Sequence, residues 1–293
     1  MKLSIIIASY NRSDSLISFL RQIGDQIVPA TVDWEVLIVD NNSTDSTQAA
    51  VVPFVNDKPQ RFRYLLEKRQ GKSIALNTGL REASGEILVF TDDDCIPNCD
   101  WLASIAREFE LHPSLSVVGG RVELYNNQDR PVSIRTASQR TIISSPDELF
   151  SLLIGCNMAI HRRVFTSIQG FDPLLGPGSK RNAVFEDLDF LYRAFTHSFE
   201  IAYSPDVLVH HNHGRASDAE IHLLTRNYVV GRGAFYCKHI LKSDKRVLRM
   251  AYWEISSLVK GFLRGLFAGN RVADQGRVLW ELLVGAVYRL SEN

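Results

Sequence analysis

The residues best suited to chemistry are carboxylates at the ends of apolar runs. Asp92-Asp93-Asp94 follows Ile87-Leu88-Val89-Phe90. Three adjacent negative charges repel one another unless a cation lies among them. Carboxylate oxygens suit Mg²⁺ or Mn²⁺, which also take oxygens from a diphosphate. The competing reading is a solvated acidic turn, which rarely needs three carboxylates. Asp40 ends a second run, Trp34–Val39. There it either accepts hydrogen bonds from a nucleobase or ribose, or caps the following helix. Glu186-Asp187-x-Asp189 opens a helical segment. The positive helix end favours ionised carboxylates, which suits a general base that must be unprotonated at neutral pH. It equally suits plain complementation of the helix dipole.

Other groups are more ambiguous. In His210-His211-Asn212-His213, strand alternation puts His211 and His213 on one face and His210 on the other. A histidine there either completes a metal shell, binds phosphate, or belongs to a surface cluster. Gly71-Lys72-Ser73 looks like the end of a phosphate-binding loop, but that motif needs glycine where Leu66 stands. Lys72 still qualifies as a phosphate contact. Tyr10 either stacks on a base or is a half-buried loop aromatic. Cys95 and Cys99 have no third or fourth ligand at zinc-site spacing.

These groups need elements to hold them. Leu3–Ala8, Trp34–Asp40, Phe62–Leu66, Glu86–Phe90 and Leu115–Leu124 read as strands. Helical spacing recurs at Leu16, Phe19, Leu20 and Ile23, from Ile74 to Leu80, and from Trp101 to Phe109. This alternation predicts an α/β fold with a mostly parallel, doubly wound sheet. In such sheets ligands bind beyond the carboxyl ends of the strands, so Ser9–Arg12, Asp40–Ser43 and Asp92–Asp94 should converge on one crevice. Beyond Val132 the rhythm loosens. Arg135–Glu148 reads as loop, Ile154–Ile160 as a short segment and Gly170–Gly178 as a mobile loop. A helix follows over Phe185–Thr196, then strands at Glu200–Tyr203 and Val207–His211, and helices from Ala219 onward.

Composition sets outer bounds. Apolar residues make up 45% of the 293, enough for a core, and the 33 basic side chains balance the 33 acidic ones. Nothing global therefore suggests nucleic acid as a partner. Four scattered cysteines do not make a disulfide framework, and the short N-terminal apolar run is not a signal-peptide core. The expectation is a cytoplasmic protein.

In order along the chain, Ile7–Arg12, Val39–Asp45, Gly71-Lys72-Ser73 with Ala75-Leu76-Asn77, Phe90–Asp94, Gly155–Ala159, Gly170-Phe171-Asp172, Glu186-Asp187 and His211-x-His213 resemble the family 2 inverting glycosyltransferases. The resemblance covers about Leu3 to His213 and implies the A-type nucleotide-sugar transferase fold. It implies that Ala8, Tyr10, Arg12, Asp40, Asn42, Lys72, Asp92 and Asp93 hold the donor. It makes Asp187 the catalytic base, Asn157 and Glu186 acceptor-side residues, and Asp94, Asp92 and His211 ligands of Mn²⁺ or Mg²⁺. The implied reaction moves a sugar from a nucleotide diphosphate, UDP by preference, to a hydroxyl of a glycan or lipid-linked acceptor with inversion. A nucleotidyltransferase would need a Gly/Arg/Lys-rich loop in place of Ser9-Tyr10-Asn11-Arg12. An inactive sugar-nucleotide-binding module would lack the acidic cluster or Asp187.

The chain then divides into a catalytic domain over 1–218 and a helical extension over 219–293. From Lys238 to Arg289 the extension carries ten Lys/Arg against four Asp/Glu. Val259, Phe262, Leu263, Leu266 and Phe267 share one predicted helix face beside Lys260 and Arg264. That face either covers the catalytic domain, lies on the inner face of a membrane, or forms a homodimer contact.

Overall fold

The computed structural model describes residues 1–267 and 273–292. It forms two compact units, Met1–Asp172 with Asp187–Ala216, and Pro173–Glu186 with Ser217–Asn293.

The first unit opens with β1 (Lys2–Ser9), α1 (Ser13–Gly24), β2 (Asp33–Asp40), α2 (Thr47–Asp57), β3 (Phe62–Leu66), α3 (Lys72–Glu82) and β4 (Ile87–Thr91). β1, β2 and β4 are apolar and buried on both faces, as strands covered by helices must be. Leu16, Phe19, Leu20 and Ile23 of α1 are buried, as their spacing predicts. After β4 come β5 (Cys95–Pro97), α4 (Trp101–Leu111), β6 (Leu115–Leu124), β7 (Thr141–Ile142), α5 (Pro146–Leu152), β8 (Asn157–His161), α6 (Arg162–Ile168), α7 (Glu186–Thr196) and β9 (Glu200–His211).

Among the described residues the sheet order is β3-β2-β1-β4-β8-β6-β9-β5, with β7 on β9. β3, β2, β1 and β4 are mutually parallel, and the chain reverses its direction of travel across the sheet between β1 and β4. This is the expected doubly wound portion. Beyond it the sheet is mixed: β8 runs antiparallel to both β4 and β6, whereas β6 and β9 are parallel. Strand–helix alternation carries the parallel signal, and it stops at β6.

Two further differences from expectation have local causes. Arg135–Glu148 is not all loop, because β7 pairs with β9, and Ser145 caps α5 by accepting from the Glu148 N–H. The two strands expected over Glu200–His211 are one. Its pairing jumps from Gly120↔Ser204 to Arg121↔Leu208, so Pro205, which has no N–H to donate, falls in a bulge. The stretch Gly170–Gly178 is loop, as expected, with Leu175 buried and the Gly176 N–H donating to the Ala183 carbonyl.

The second unit is built on α8 (Asp218–Leu241), α9 (Lys245–Phe267) and α10 (Ala273–Ser291). Ser217 and Glu220 form a reciprocal capping box that starts α8. α8 and α10 approach closely, since a Cβ on Gly233 would meet the Leu282 carbonyl and one on Gly285 the Val230 carbonyl. Leu175, Ala183, Val230, Ala234 and Tyr288 form its core. Among the described residues no helix is long and apolar enough to cross a membrane.

Candidate active site

The carboxyl ends of β1, β2 and β4 carry the polar residues, and hydrogen bonds between their loops fix them. Asn11 and Asn42 adopt left-handed backbone conformations, which asparagine tolerates better than most residues. Asn11 Oδ1 accepts from the Thr44 N–H at 2.7 Å, and the Asn11 N–H donates to Ser43 Oγ at 2.9 Å. The loops after β1 and β2 are therefore one assembly. Ala8 is paired with Val39 at its base, and Tyr10 is 47% exposed beside it. Asp40 is buried. It accepts the Ser43 N–H at 2.8 Å and the Tyr64 hydroxyl at 2.7 Å, so it closes the turn after β2 without capping α2. Burial and the Asp40 carboxylate push the Tyr64 phenol up.

Each carboxylate of the triplet meets a different partner. Asp92 pairs with Lys72 at 2.5 Å. Asp93 accepts from Ser9 Oγ at 2.6 Å and from the Arg12 guanidinium at 3.0 Å, and Arg12 also reaches Asp94 at 2.6 Å. Burial pushes Asp93 up to about 6, with Arg12 opposing and Asp94 adding to the shift. Asp94 moves the other way: burial would raise it, but the His211 ring and Arg12 hold it well below the usual carboxylate range. Burial would lower His211, yet Asp94 beside it raises it to about 9. Arg12, Lys72 and His211 thus place positive charge around the triplet.

The ligand atoms of Asp94, Cys95 and His211 lie within 4.8 Å of one another. Asp94 Oδ1 and His211 Nδ1 are buried and have no hydrogen-bond partner, although His211 Nε2 approaches Asp94 Oδ1 at 3.4 Å. Such orphans cost stability unless a ligand satisfies them. Cys95 is buried, and the neighbouring Cys156 together with burial holds its thiol protonated, so it offers no thiolate. The remaining carboxylate oxygen and imidazole nitrogen suit a divalent cation that does not require thiolate. Asp92, expected as a ligand, lies outside this group with Lys72. The His211 and His213 rings meet edge to face at 5.0 Å, on the same side as strand alternation predicts, while His210 turns to Glu123.

Asp187, in the first turn of α7, is half-buried. Its Oδ2 accepts the Gly155 N–H at 2.7 Å and its Oδ1 the Leu188 N–H at 2.8 Å. Gly155 lies two residues before Asn157, which is paired with Thr91 at the end of β4. The aspartate is thereby tied to the start of β8, beside the strand that delivers the acidic triplet. Only glycine fits at 155, because a Cβ would lie 2.6 Å from the Asp187 Cβ.

The two residues expected beside the acceptor, Asn157 and Glu186, are buried. Asn157, expected beside the acceptor, has no exposed surface. It accepts from the Trp101 indole at 2.9 Å and donates to the Arg121 and Val207 carbonyls at 2.8 Å each. It is a strut between β8, α4 and the β6–β9 pair. Asp189 is fully buried against Arg193, whose guanidinium also holds the Ile168 and Gly170 carbonyls. Glu186 is buried at the start of the same helix.

Sequence reading missed three organising residues. Asn41 accepts the Gly71 N–H and donates to the Glu67 and Arg69 carbonyls, which sets the loop that ends at Lys72. Glu67 is buried and binds Arg69 and Thr78. Asn77 clasps Phe171, accepting from its N–H at 2.7 Å and donating to its carbonyl at 2.8 Å. The available signal was polar residues inside otherwise buried segments.

The glycosyl transferase family 2 model matches residues 4–168. Glycosyltransferase AglE of Haloferax volcanii is 26% identical over 99% of this chain and 93% of its own length. The poly-beta-1,6-N-acetyl-D-glucosamine synthase of Staphylococcus epidermidis is 24% identical over 70% of this chain, which spans 48% of that relative. Among solved structures, the mannosyltransferase PcManGT from Pyrobaculum calidifontis, in complex with GDP-Man and Mn²⁺, superposes with a TM-score of 0.67 at 20% identity, covering 99% of this chain and 87% of its own. S. aureus TarS 1-349 in complex with UDP gives 0.59 at 17% identity, covering 100% and 91%. These structures share the A-type fold. With more than half of its length matched by the family model and its strand-end carboxylates gathered at the switch point, the chain belongs to glycosyl transferase family 2.

Proposed function

We propose that this glycosyltransferase moves a sugar from a nucleotide diphosphate, UDP by preference, to an acceptor hydroxyl by a single inverting displacement. The observation that carries the reading is the buried Asp94 carboxylate facing His211 Nε2 at 3.4 Å, beside Arg12 at the end of β4. Residues 1–218 carry the reaction and 219–293 form a helical extension. Mn²⁺ or Mg²⁺, held by Asp94 and His211, would neutralise charge on the departing diphosphate. Lys72 and Arg12 supply fixed positive charge to the same oxygens. Ala8, Tyr10, Asp40 and Asn42 line the base and ribose side, where Tyr10 is exposed enough to stack. Asp187, held by two N–H donors yet open to solvent, takes the acceptor proton.

Relatives support the acceptor class. One is named as a polysaccharide synthase and another, from Campylobacter jejuni, as a glucosyltransferase acting on a pyrophosphoryl-undecaprenol-linked glycan. We take the acceptor here to be a glycan or lipid-linked glycan, and the place of action to be the cytoplasmic side of a membrane. A nucleotidyltransferase would need triphosphate-binding residues after β1, where Ser9 and Arg12 instead hold the acidic triplet.

The test is thermal unfolding with a panel of nucleoside diphosphates, each with and without Mn²⁺, followed by NMR of the product anomer. One diphosphate should raise the melting temperature, and only when Mn²⁺ is present. A retained anomeric configuration would overturn direct displacement, and selective stabilisation by a triphosphate would favour nucleotidyl transfer.

A further inference from the structure

α9 packs inward through Val247, Ala251 and Glu254. Glu254, the sole acid in the helix, accepts from the Tyr236 hydroxyl at 2.5 Å and pairs with Arg232 at 2.6 Å. Its outer face is unusual for a surface helix. Leu248, Tyr252, Ile255, Val259 and Leu263 are all exposed, Tyr252 to 63%. At roughly 100° per residue these five fall within an arc of roughly 80°. Lys245, Arg246, Arg249, Lys260 and Arg264 are exposed too and occupy the adjoining arc, with Trp253 (62% exposed) among them. None of these five cations has an ion-pair partner among the described residues. The expected face shifts accordingly. Phe262 is half-buried and lies against Gly276 of α10, and the side chains of Leu266 and Phe267 lie outside the described residues.

The geometry points to an anionic lipid surface as the occupant of this face. An apolar stripe that includes Tyr252, with cations and Trp253 along one side, lets a helix lie in the bilayer interface. The stripe runs along the helix for roughly 23 Å, from Leu248 to Leu263, so the whole element would lie in the membrane plane. A second copy of this chain fits poorly, because a two-fold contact would set like charges on like. Folding does not use the stripe. Attraction to anionic headgroups explains why its flank is exclusively basic. This inference places the enzyme beside lipid-linked acceptors but does not rest on the glycosyl-transfer reading, since docking needs no nucleotide.

The experiment is co-sedimentation of the full chain with vesicles of phosphatidylcholine alone or with one lipid in three replaced by phosphatidylglycerol. Binding should be at least ~10-fold stronger to the anionic vesicles and fall steeply with salt, since each basic residue near such a surface is worth roughly fivefold in partitioning. Arg249→Glu/Lys260→Glu/Arg264→Glu should abolish the preference, and Tyr252→Ser/Ile255→Ser should weaken binding with the charges intact. All five side chains are exposed, so both variants should keep the wild-type melting temperature. Absence of wild-type pelleting, or pelleting of the charge-reversed chain at the wild-type level, would overturn the proposal. A dimer in solution that the same substitutions dissolve would assign the face to a second copy instead.

Discussion

Carboxylates are buried at both ends of the central sheet, and they are treated in opposite ways. At the amino end, Glu35 of β2 accepts from Ser4 Oγ at 2.7 Å and from the Ser84 N–H and hydroxyl at 2.8 and 2.6 Å, with Arg63 at 3.3 Å. Its network is complete. At the carboxyl end, Asp94 Oδ1 has no hydrogen bond and only a longer approach, 3.4 Å, from His211 Nε2, and His211 Nδ1 has no hydrogen-bond partner. A completed buried network stabilises a fold, whereas an incomplete one is a place where a ligand gains by binding. Buried acid alone does not distinguish structure from function.

The sharpest way to break that contrast is Asp94→Ala. If the carboxyl end is a ligand site, transfer should fall by at least ~10³-fold, as expected when a principal electrostatic contact to the leaving group is lost. Titration calorimetry should also show that Mn²⁺ no longer strengthens nucleotide binding. Wild-type metal-dependent affinity in this variant would return Asp94 to the structural class.

Asp187→Asn comes next. The amide keeps the shape but cannot take a proton, so turnover should drop by at least ~10²-fold with donor affinity nearly constant. More than a tenth of wild-type turnover would move the base elsewhere. Asp189 is a poor substitute, because it is fully buried against Arg193.

At the other end, Glu35→Gln should leave kcat unchanged and cost stability on the order of 1–3 kcal/mol by weakening charge-assisted hydrogen bonds. The effect should depend on pH. Burial would raise this carboxyl, but the Ser84 and Ser4 hydrogen bonds outweigh it and lower it from 4.5 to about 2. A carboxylate lowered on folding stabilises above its unfolded pKa, and that contribution disappears as pH falls through the folded one. Urea midpoints of wild type and variant should therefore differ most above pH 5 and converge towards pH 2. A constant gap would show that the charge of Glu35 is irrelevant.

The contrast also shows what could be read from the chain alone. Apolar runs ending in polar residues determine β1, β2 and β4 and require Asp40 and Asp92–Asp94 to emerge together, because a parallel doubly wound sheet puts its strand ends on one edge. Asp187 could be named only through resemblance, since an acidic first turn serves any helix. The remainder depended on long-range pairing. That Asn157 is a strut follows from Trp101 and Val207, 56 and 50 residues away. Which aspartate of the triplet faces His211 depends on β9 passing beside β5, where Cys95 pairs with His211. The exposed stripe of α9 is similar. Helical periodicity showed that an apolar face exists, but only the packing of Val247, Ala251 and Phe262 decided that the stripe through Tyr252 and Leu263 faces solvent. Periodicity is local and fixes which side chains share a face. What that face meets is decided by chain segments far away in sequence, which no local pattern encodes.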